Sequence, residues 1–201
     1  MSTSAHLLIL GAMQEEIEAL LEVLELRESH EWHGFVFHVG EIEGQPAIIA
    51  RCGIGKVFAA MIAQHLLDRF DVKAVVFSGV AGAISPDLEP GDVVLGTRLV
   101  HHDLDATALG FEPGQIPFTA YRWFHSDKGL LERVERTPVS EGRVLRGTIG
   151  TGDRFVMDRA PLETLGIDCV DMEGAAVAQV CTVNEVPFLV IRIISDRADG
   201  T

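Results

Sequence analysis

The amino-acid sequence predicts one α/β domain with a mixed, largely parallel sheet, and three observations carry that prediction. Short continuous apolar runs alternate with segments of helical period, the pattern of strands buried on both faces between helices. The chain has 201 residues, 47% apolar and 23% charged, a single domain's length that buries roughly 70% of its unfolded surface and is too apolar for disorder. No repeat, low-complexity tract or linker interrupts it, so residues 1–201 read as one unit.

His6–Gly11 (HLLILG) is the first apolar run and reads as a strand. Ile17, Leu20, Leu21 and Leu24 then fall at i, i+3, i+4 and i+7 among glutamates, an amphipathic helix. Gly34–Val39 and Pro46–Arg51 read as two strands joined at a Glu43-Gly44 turn. Gly53–Lys56 opens a second helix whose apolar face includes Val57, Met61 and Leu66. Ala74–Ser78 is a buried strand expected to break at Gly79–Gly82, and Asp92–Gly96 is a strand after the Glu89-Pro90-Gly91 turn. Residues 101–125 carry Gly110, Pro113, Gly114 and Pro117 without clear period and read as a long excursion, a kind of loop that is usually functional or makes partner contacts. Ser126–Glu135 reads as a helix, and Val144–Gly150, Cys169–Val170 and Phe188–Ile194 as core strands, with a helix from about Glu173 to Val183 before the last.

Acidic residues outnumber basic ones, 30 to 16, for a formal charge of −14. Such a surface repels phosphate backbones, which argues against nucleic acid and anionic membranes as partners. No apolar stretch approaches the ~20 residues that span a bilayer. The N-terminal MSTSAHLLILGAMQEE lacks a basic segment and runs into acids, so it reads as a first strand and not as a signal peptide. Cys52, Cys169 and Cys181 are odd in number and lack CxxC spacing, supporting neither a disulfide framework nor a zinc site. A reducing cytoplasm is the expected compartment.

Several familiar chemistries fail on spacing. Gly53-Ile54-Gly55-Lys56 resembles a phosphate loop, but its first glycine would fall at Ala50 and Val57 occupies the magnesium-holding Ser/Thr position. No GxSxG elbow surrounds any serine. His101 and His102 are adjacent on an extended segment, where side chains point opposite ways, so no metal is expected. Three carboxylates stand out instead. Glu16 sits in the first turn of the first helix, just after a buried strand, where a carboxylate also suits the helix dipole. Glu173 lies between a strand and a small-residue helix, where it or Asp171 could equally be a helix cap. Asp196 ends the last apolar strand, again a position for a cap or turn residue. Strand ends of open α/β sheets are where ligands bind, and three acids at three such ends are more suggestive than one.

Gly11-Ala12-Met13-Gln14-Glu15-Glu16, Gly53-Ile54-Gly55-Lys56-Val57, Gly79-Val80-Ala81-Gly82, Asp171-Met172-Glu173 and Ser195-Asp196 occur in this order. Together they resemble the 5′-methylthioadenosine/S-adenosylhomocysteine nucleosidases of the nucleoside phosphorylase superfamily, as does, more narrowly, the segment from His102-Asp103 to Pro117. The likeness spans essentially the whole chain. It implies an α/β/α sandwich around a mixed, twisted sheet and hydrolysis of an adenine N-glycosidic bond, with no metal or organic cofactor. Residue by residue, Glu16 matches the activator of water, Asp196 the acid that protonates adenine N7, and Ser195 its support. Met172 and Glu173 match the ribose-binding pair, Glu173 holding the 2′- and 3′-hydroxyls. Phe155 matches the residue stacked on adenine, Val156 contributes backbone contacts to its edge, Gly82 lines the floor and Arg192 the surrounding polar shell. Met13 and Ile54 would meet the 5′-substituent. A partner subunit's loop, here Ala106, Leu109, Phe111 and Pro117, would complete that pocket, which implies a homodimer.

These roles fit the chemistry. Breaking a C–N bond to a sugar builds positive charge on the ribose and negative charge on the departing base, so an acid at the base and carboxylates at the sugar both help. To give a proton at neutral pH, the Asp196 carboxyl or its hydrogen-bonded complex must bind one well above the reference value of about 3.9, as burial at an apolar strand end would favour. Glu16 must stay ionised. The Gln14-Glu15-Glu16 loop repels phosphate and suits water, favouring a hydrolase over a phosphorylase. Val80 stands where these nucleosidases commonly have Ser, removing one hydrogen bond near the water and ribose; Asp171 replaces Glu, and Leu109 and Phe111 vary the 5′-lining. The family's pocket-closing helix after the final Asp falls outside the 201 residues. Three rival readings remain: a 6-amino-6-deoxyfutalosine hydrolase sharing the adenine half, a phosphate-dependent phosphorylase, and a non-catalytic nucleoside-binding module.

Overall fold

The computed structural model describes residues 5–139 and 142–198. In chain order the elements are β1 (His6–Gly11), α1 (Glu18–Glu22), β2 (Glu25–Trp32), β3 (Phe35–Ile42), β4 (Gln45–Arg51), α2 (Lys56–Arg69), β5 (Val72–Ala83), β6 (Val93–His101), β7 (Phe124–His125), α3 (Lys128–Glu135), β8 (Val144–Thr151), α4 (Ala160–Glu163), β9 (Cys169–Asp171), α5 (Gly174–Val183) and β10 (Phe188–Asp196). The strands form one mixed sheet in the order β10-β6-β8-β9-β5-β1-β4-β3-β2, and β10 also pairs with β5. Five strands therefore close on themselves, while β1, β4, β3 and β2 extend from β5 as an open wing.

Alternating side chains put a helix layer on each face. Leu8 and Leu10 of β1 and Ile48 and Ala50 of β4 belong to the large core containing Ile62 and Leu66 of α2 and Val177 and Cys181 of α5. The opposite face buries Ile9, Ala47 and Ile49 with Ile17, Leu20 and Leu21 around α1, and Leu95 and Leu189 with Leu131 of α3. This is the α/β/α sandwich that the resemblance implied.

The edge of β5 divides. β1 pairs with it as far as Phe77, and β9 takes the same edge only at Gly82 and Ala83, while β10 runs along the other edge from Val75 to Gly82. Residues 78–81 thus have no strand on one side. Pairing with β10 is why β5 continues through Gly79–Gly82, where the sequence predicts a break. The glycine at 79 serves close approach: a Cβ there would lie 2.7 Å from Glu16 Oε1 and 3.0 Å from Arg192 Nη1.

Two other expectations change. The first helix is shorter than Ile17–Leu24, because the chain turns at Val23 and enters β2 at Glu25; Ile17 and Leu24 are buried all the same. β2 itself, ELRESHEW, has no apolar alternation to announce it and is mostly exposed. It forms the sheet's outer edge, where charges discourage pairing with another chain.

Candidate active site

A cavity of about 210 Å³ opens over the unpaired stretch of β5, with Val80, Ala81 and Gly82 in its lining. Glu16 fills the gap. Its Oε2 accepts from the N–H groups of Ala12 at 2.6 Å and Met13 at 3.0 Å, and its Oε1 accepts from Val80 N at 3.1 Å. The carboxylate thus takes the place a neighbouring strand would occupy. Glu16 lies in the turn before α1 and not in its first turn: the helix begins at Glu18 with Ile17 as N-cap, and the backbone of residues 12, 13 and 80 supplies the donors expected of a helix end.

On the opposite wall the sequence left open whether Asp171 or Glu173 caps the following helix. Asp171 does. Its Oδ2 accepts from Gly174 N at 3.0 Å, while Thr151 Oγ1 donates to Oδ1. Glu173 occupies the N-cap position without a side-chain cap bond, and its Oε1 accepts instead from Gly55 N at 2.8 Å, across the mouth of the second helix. Gly55 has φ of +96°, a conformation that strains any residue with a Cβ, so glycine is needed to aim that N–H. Glu173 is only 7% exposed. Burial first, then the nearby Asp171 carboxylate, push its carboxyl up to about 7.

Arg192, expected in the polar shell around the substrate, lies behind the pocket wall and is 1% exposed. Its Nε and Nη2 each lie 2.8 Å from Asp171 Oδ2, and its guanidinium sits 4.2 Å over the Phe77 ring. It points inward from β10 because Asp171 is the buried charge it must neutralise; isolated, either group would be costly there. The guanidinium pairs with Asp171, while Glu16 and Glu173 line the cavity beside it, so this part of the cavity favours developing positive charge.

The third acid stands at the end of β10. Asp196 Oδ1 accepts from Ala198 N at 2.8 Å, and Oδ2 lies 2.7 Å from Ser195 Oγ, which is also 3.3 Å from Ala81 O. A hydroxyl has one hydrogen to give. It can donate to an ionised Asp196, or accept from a protonated one while turning its own hydrogen to Ala81 O. Asp196 is half-buried and Ser195 exposed, less enclosed than an apolar strand end suggests, because β10 ends at the pocket's rim.

Met13, Ile54, Gly82, Phe155, Val156 and Met172 all line the same cavity as Glu16, Glu173, Ser195 and Asp196. Phe155 is 72% exposed at its lip and Val156 is buried beneath. Ala106, Leu109, Phe111 and Pro117 do not line it. Sequence reasoning passed over Arg154 and Ala198, which do; the signal for Arg154 was a cation between Asp153 and Phe155 in an otherwise acidic chain. It also passed over the clamp that joins the surrounding loops. Lys56 Nζ lies 2.6 and 2.8 Å from the two Asp103 oxygens, Asp103 Oδ2 accepts from Asp153 N at 2.9 Å, and Asp153 Oδ1 accepts from Lys56 N at 2.9 Å. Among the described residues no three His, Cys, Asp or Glu side chains gather as a metal site.

Residues 6–201 match the family model of the phosphorylase superfamily. A 5′-methylthioadenosine/S-adenosylhomocysteine nucleosidase of Anoxybacillus flavithermus is 38% identical over 200 residues, covering 96% of this chain and 86% of that protein. The chain belongs to this nucleosidase family. Its relative from Geobacillus sp. is 40% identical over 197 residues, 94% of this chain and 84% of that one. The Neisseria meningitidis nucleosidase, solved in complex with methylthio-immucillin-A, superposes with a TM-score of 0.92 at 38% identity, covering 97% of this chain and 87% of that one. Futalosine hydrolase of Helicobacter pylori also superposes, with a TM-score of 0.90 at 35% identity over all of this chain and 88% of its own. The nucleosidase fold is thus shared by enzymes named for different substrates.

Proposed function

We propose that the protein hydrolyses the N-glycosidic bond of 5′-methylthioadenosine and S-adenosylhomocysteine, releasing adenine and the 5-thioribose product. The observation that carries this reading is the convergence of Glu16, Glu173 and Asp196 on one cavity. Water oxygen bonds to C1′ as the C1′–N9 bond breaks and its electron pair stays with the base. Asp196 gives its proton to N7, so adenine leaves neutral, and Glu16 takes a proton from the water. Three backbone N–H groups hold Glu16 as an acceptor, the role the water requires. Glu173 accepts from the 2′- and 3′-hydroxyls, and its negative charge favours the cationic ribose of the transition state. Phe155 covers the purine, Met172 packs on the ribose, and Met13 and Ile54 receive the 5′-substituent.

The protein acts as a homodimer in this reading. A second, open cavity of about 600 Å³ beside α2 and α5 is lined by Val57, Ala60, Leu104, Ile116, Val180 and Val183. Val57 is 76% and Val183 57% exposed, so this apolar face has a reason to be covered. The excursion that carries Leu104 and Ile116 also carries Ala106, Leu109, Phe111 and Pro117, which would reach the partner's 5′-pocket. A reducing cytoplasm suits three buried, unpaired cysteines. Among the described residues no helix is long and apolar enough to cross a membrane.

Adenine release from both nucleosides, measured with and without phosphate, tests the activity. Release at the same rate in phosphate-free buffer is the expected result. Release only with phosphate would make the protein a phosphorylase, and nucleoside binding without release would make it a non-catalytic module.

A further inference from the structure

Every charged side chain in the cavity lining is an acid except Arg154. Arg154 is exposed and makes no hydrogen bond or ion pair among the described residues. The chain as a whole carries −14, and Glu16, Asp171, Glu173 and Asp196 line the same cavity. An unpaired guanidinium at the lip of an acidic pocket does nothing for adenine or for the cationic ribose, both of which the acids serve better.

Its place along the rim narrows what it can meet. The preceding residue, Asp153, bonds through Oδ1 to Lys56 N, two residues beyond Ile54, and through its own N–H to Asp103. The next residue, Phe155, lines the cavity. Arg154 therefore stands between Phe155, proposed to cover the purine, and the loop carrying Ile54, proposed to meet the 5′-substituent. The Lys56–Asp103–Asp153 clamp fixes the backbone on its N-terminal side.

We propose that Arg154 is a specificity-determining residue that pairs with a carboxylate at the far end of the 5′-substituent. This rests on the hydrolase reading above and deepens it by assigning the residue that would favour adenine nucleosides whose 5′-arm ends in an anion. S-adenosylhomocysteine carries such a group in its amino-acid carboxylate, and 6-amino-6-deoxyfutalosine in its benzoate; 5′-methylthioadenosine carries none. A guanidinium meets a carboxylate through two parallel N–H bonds, geometry that an ammonium cannot reproduce. Its exposed position makes the pairing modest and salt-sensitive.

The test is the ratio of kcat/KM for each carboxylate-bearing nucleoside to that for 5′-methylthioadenosine, in the parent, Arg154→Gln and Arg154→Lys. Arg154→Gln lowers the ratio about tenfold, the scale of one charged hydrogen-bonded contact, and Arg154→Lys restores only part of it. A fall confined to S-adenosylhomocysteine assigns the amino-acid carboxylate, and one confined to 6-amino-6-deoxyfutalosine assigns the benzoate; both support the inference. In the unmodified protein, raising ionic strength lowers kcat/KM for the carboxylate substrate more than for 5′-methylthioadenosine. Unchanged ratios in Arg154→Gln overturn the inference alone. A parent protein that releases adenine from none of the three overturns the hydrolase reading as well.

Discussion

The two ends of the pocket hold their carboxylates in opposite ways. At the end proposed for the sugar, Glu16 accepts three backbone N–H bonds, Glu173 accepts one across the cavity, and Asp171 is neutralised by a buried guanidinium. At the end proposed for the base, Asp196 meets one backbone N–H and one hydroxyl that can either give or receive a hydrogen bond. Fixed donors commit a carboxylate to accepting, whereas a rotatable hydroxyl leaves the proton free to move. The first suits groups that take a proton from water or hold ribose hydroxyls; the second suits a group that surrenders its own proton during bond cleavage. The contrast also separates burial from catalysis. Burial lifts the carboxyl of Glu173, a group assigned to binding, while the group assigned as general acid sits half-exposed at the rim.

The contrast predicts a graded series of losses. Asp196→Asn keeps the side chain's shape but has no acidic proton to give, so kcat falls about 10³-fold while substrate Kd changes less than about tenfold. Rapid-quench adenine release alongside calorimetric binding separates these quantities. Equal losses in both would make Asp196 a structural residue. Glu16→Gln replaces one acceptor oxygen with an amide that cannot accept from its N–H neighbours. A fall in kcat of about 10²-fold, with inhibitor binding retained, is expected from the same pair of measurements.

Glu173 supplies the pH dependence. In the free protein its carboxyl is pushed up to about 7, so kcat/KM is expected to decline below that pH as the proposed acceptor for the ribose hydroxyls becomes protonated. Bound hydroxyls favour the ionised form, so the corresponding decline in kcat lies at lower pH. Stability moves the other way. Because the folded value lies above the reference 4.5, the folded state is favoured below that pH, and this advantage is lost as pH rises through about 7. Glu173→Gln removes the dependence, so the variant gains on the parent by up to about 3 kcal/mol between pH 5 and 8 while losing activity. Denaturant midpoints across that range check the sign. The smallest effect belongs to Ser195→Ala, which removes the hydroxyl but leaves Asp196 bonded to Ala198 N; a loss in kcat of about tenfold is expected from steady-state rates.

Much of this was legible in the sequence, and the parts that were not have physical reasons. Continuous apolar runs such as Leu7–Leu10 and Phe188–Ile191 reveal a strand between two helix layers because both faces must be apolar. β2 hid because an edge strand needs no such pattern and benefits from charge. Gly79–Gly82 reads as a turn in sequence, since small residues announce a break and a close approach in the same letters; only the positions of Glu16, Arg192 and Asp196 tell them apart. The three acids were visible at strand ends, Met172 and Ile54 lay within the ordered motifs, and Phe155 followed from the residue-by-residue likeness to the family. What spacing cannot encode is which acid caps the helix and which turns into the cavity. Asp171 and Glu173 are two residues apart, and Arg192, 21 residues after Asp171, settles the division by pairing with it.

A substrate with nothing at position 7 to protonate tests the central claim most directly, because it leaves the protein untouched. In 5′-methylthiotubercidin the N7 of adenine is replaced by a C–H, which offers no lone pair to Asp196. The account predicts that the protein binds this nucleoside within about tenfold of its affinity for 5′-methylthioadenosine and cleaves it at least about 10³-fold more slowly. Cleavage within about tenfold of the normal rate would contradict proton transfer to N7 as the step that drives adenine out.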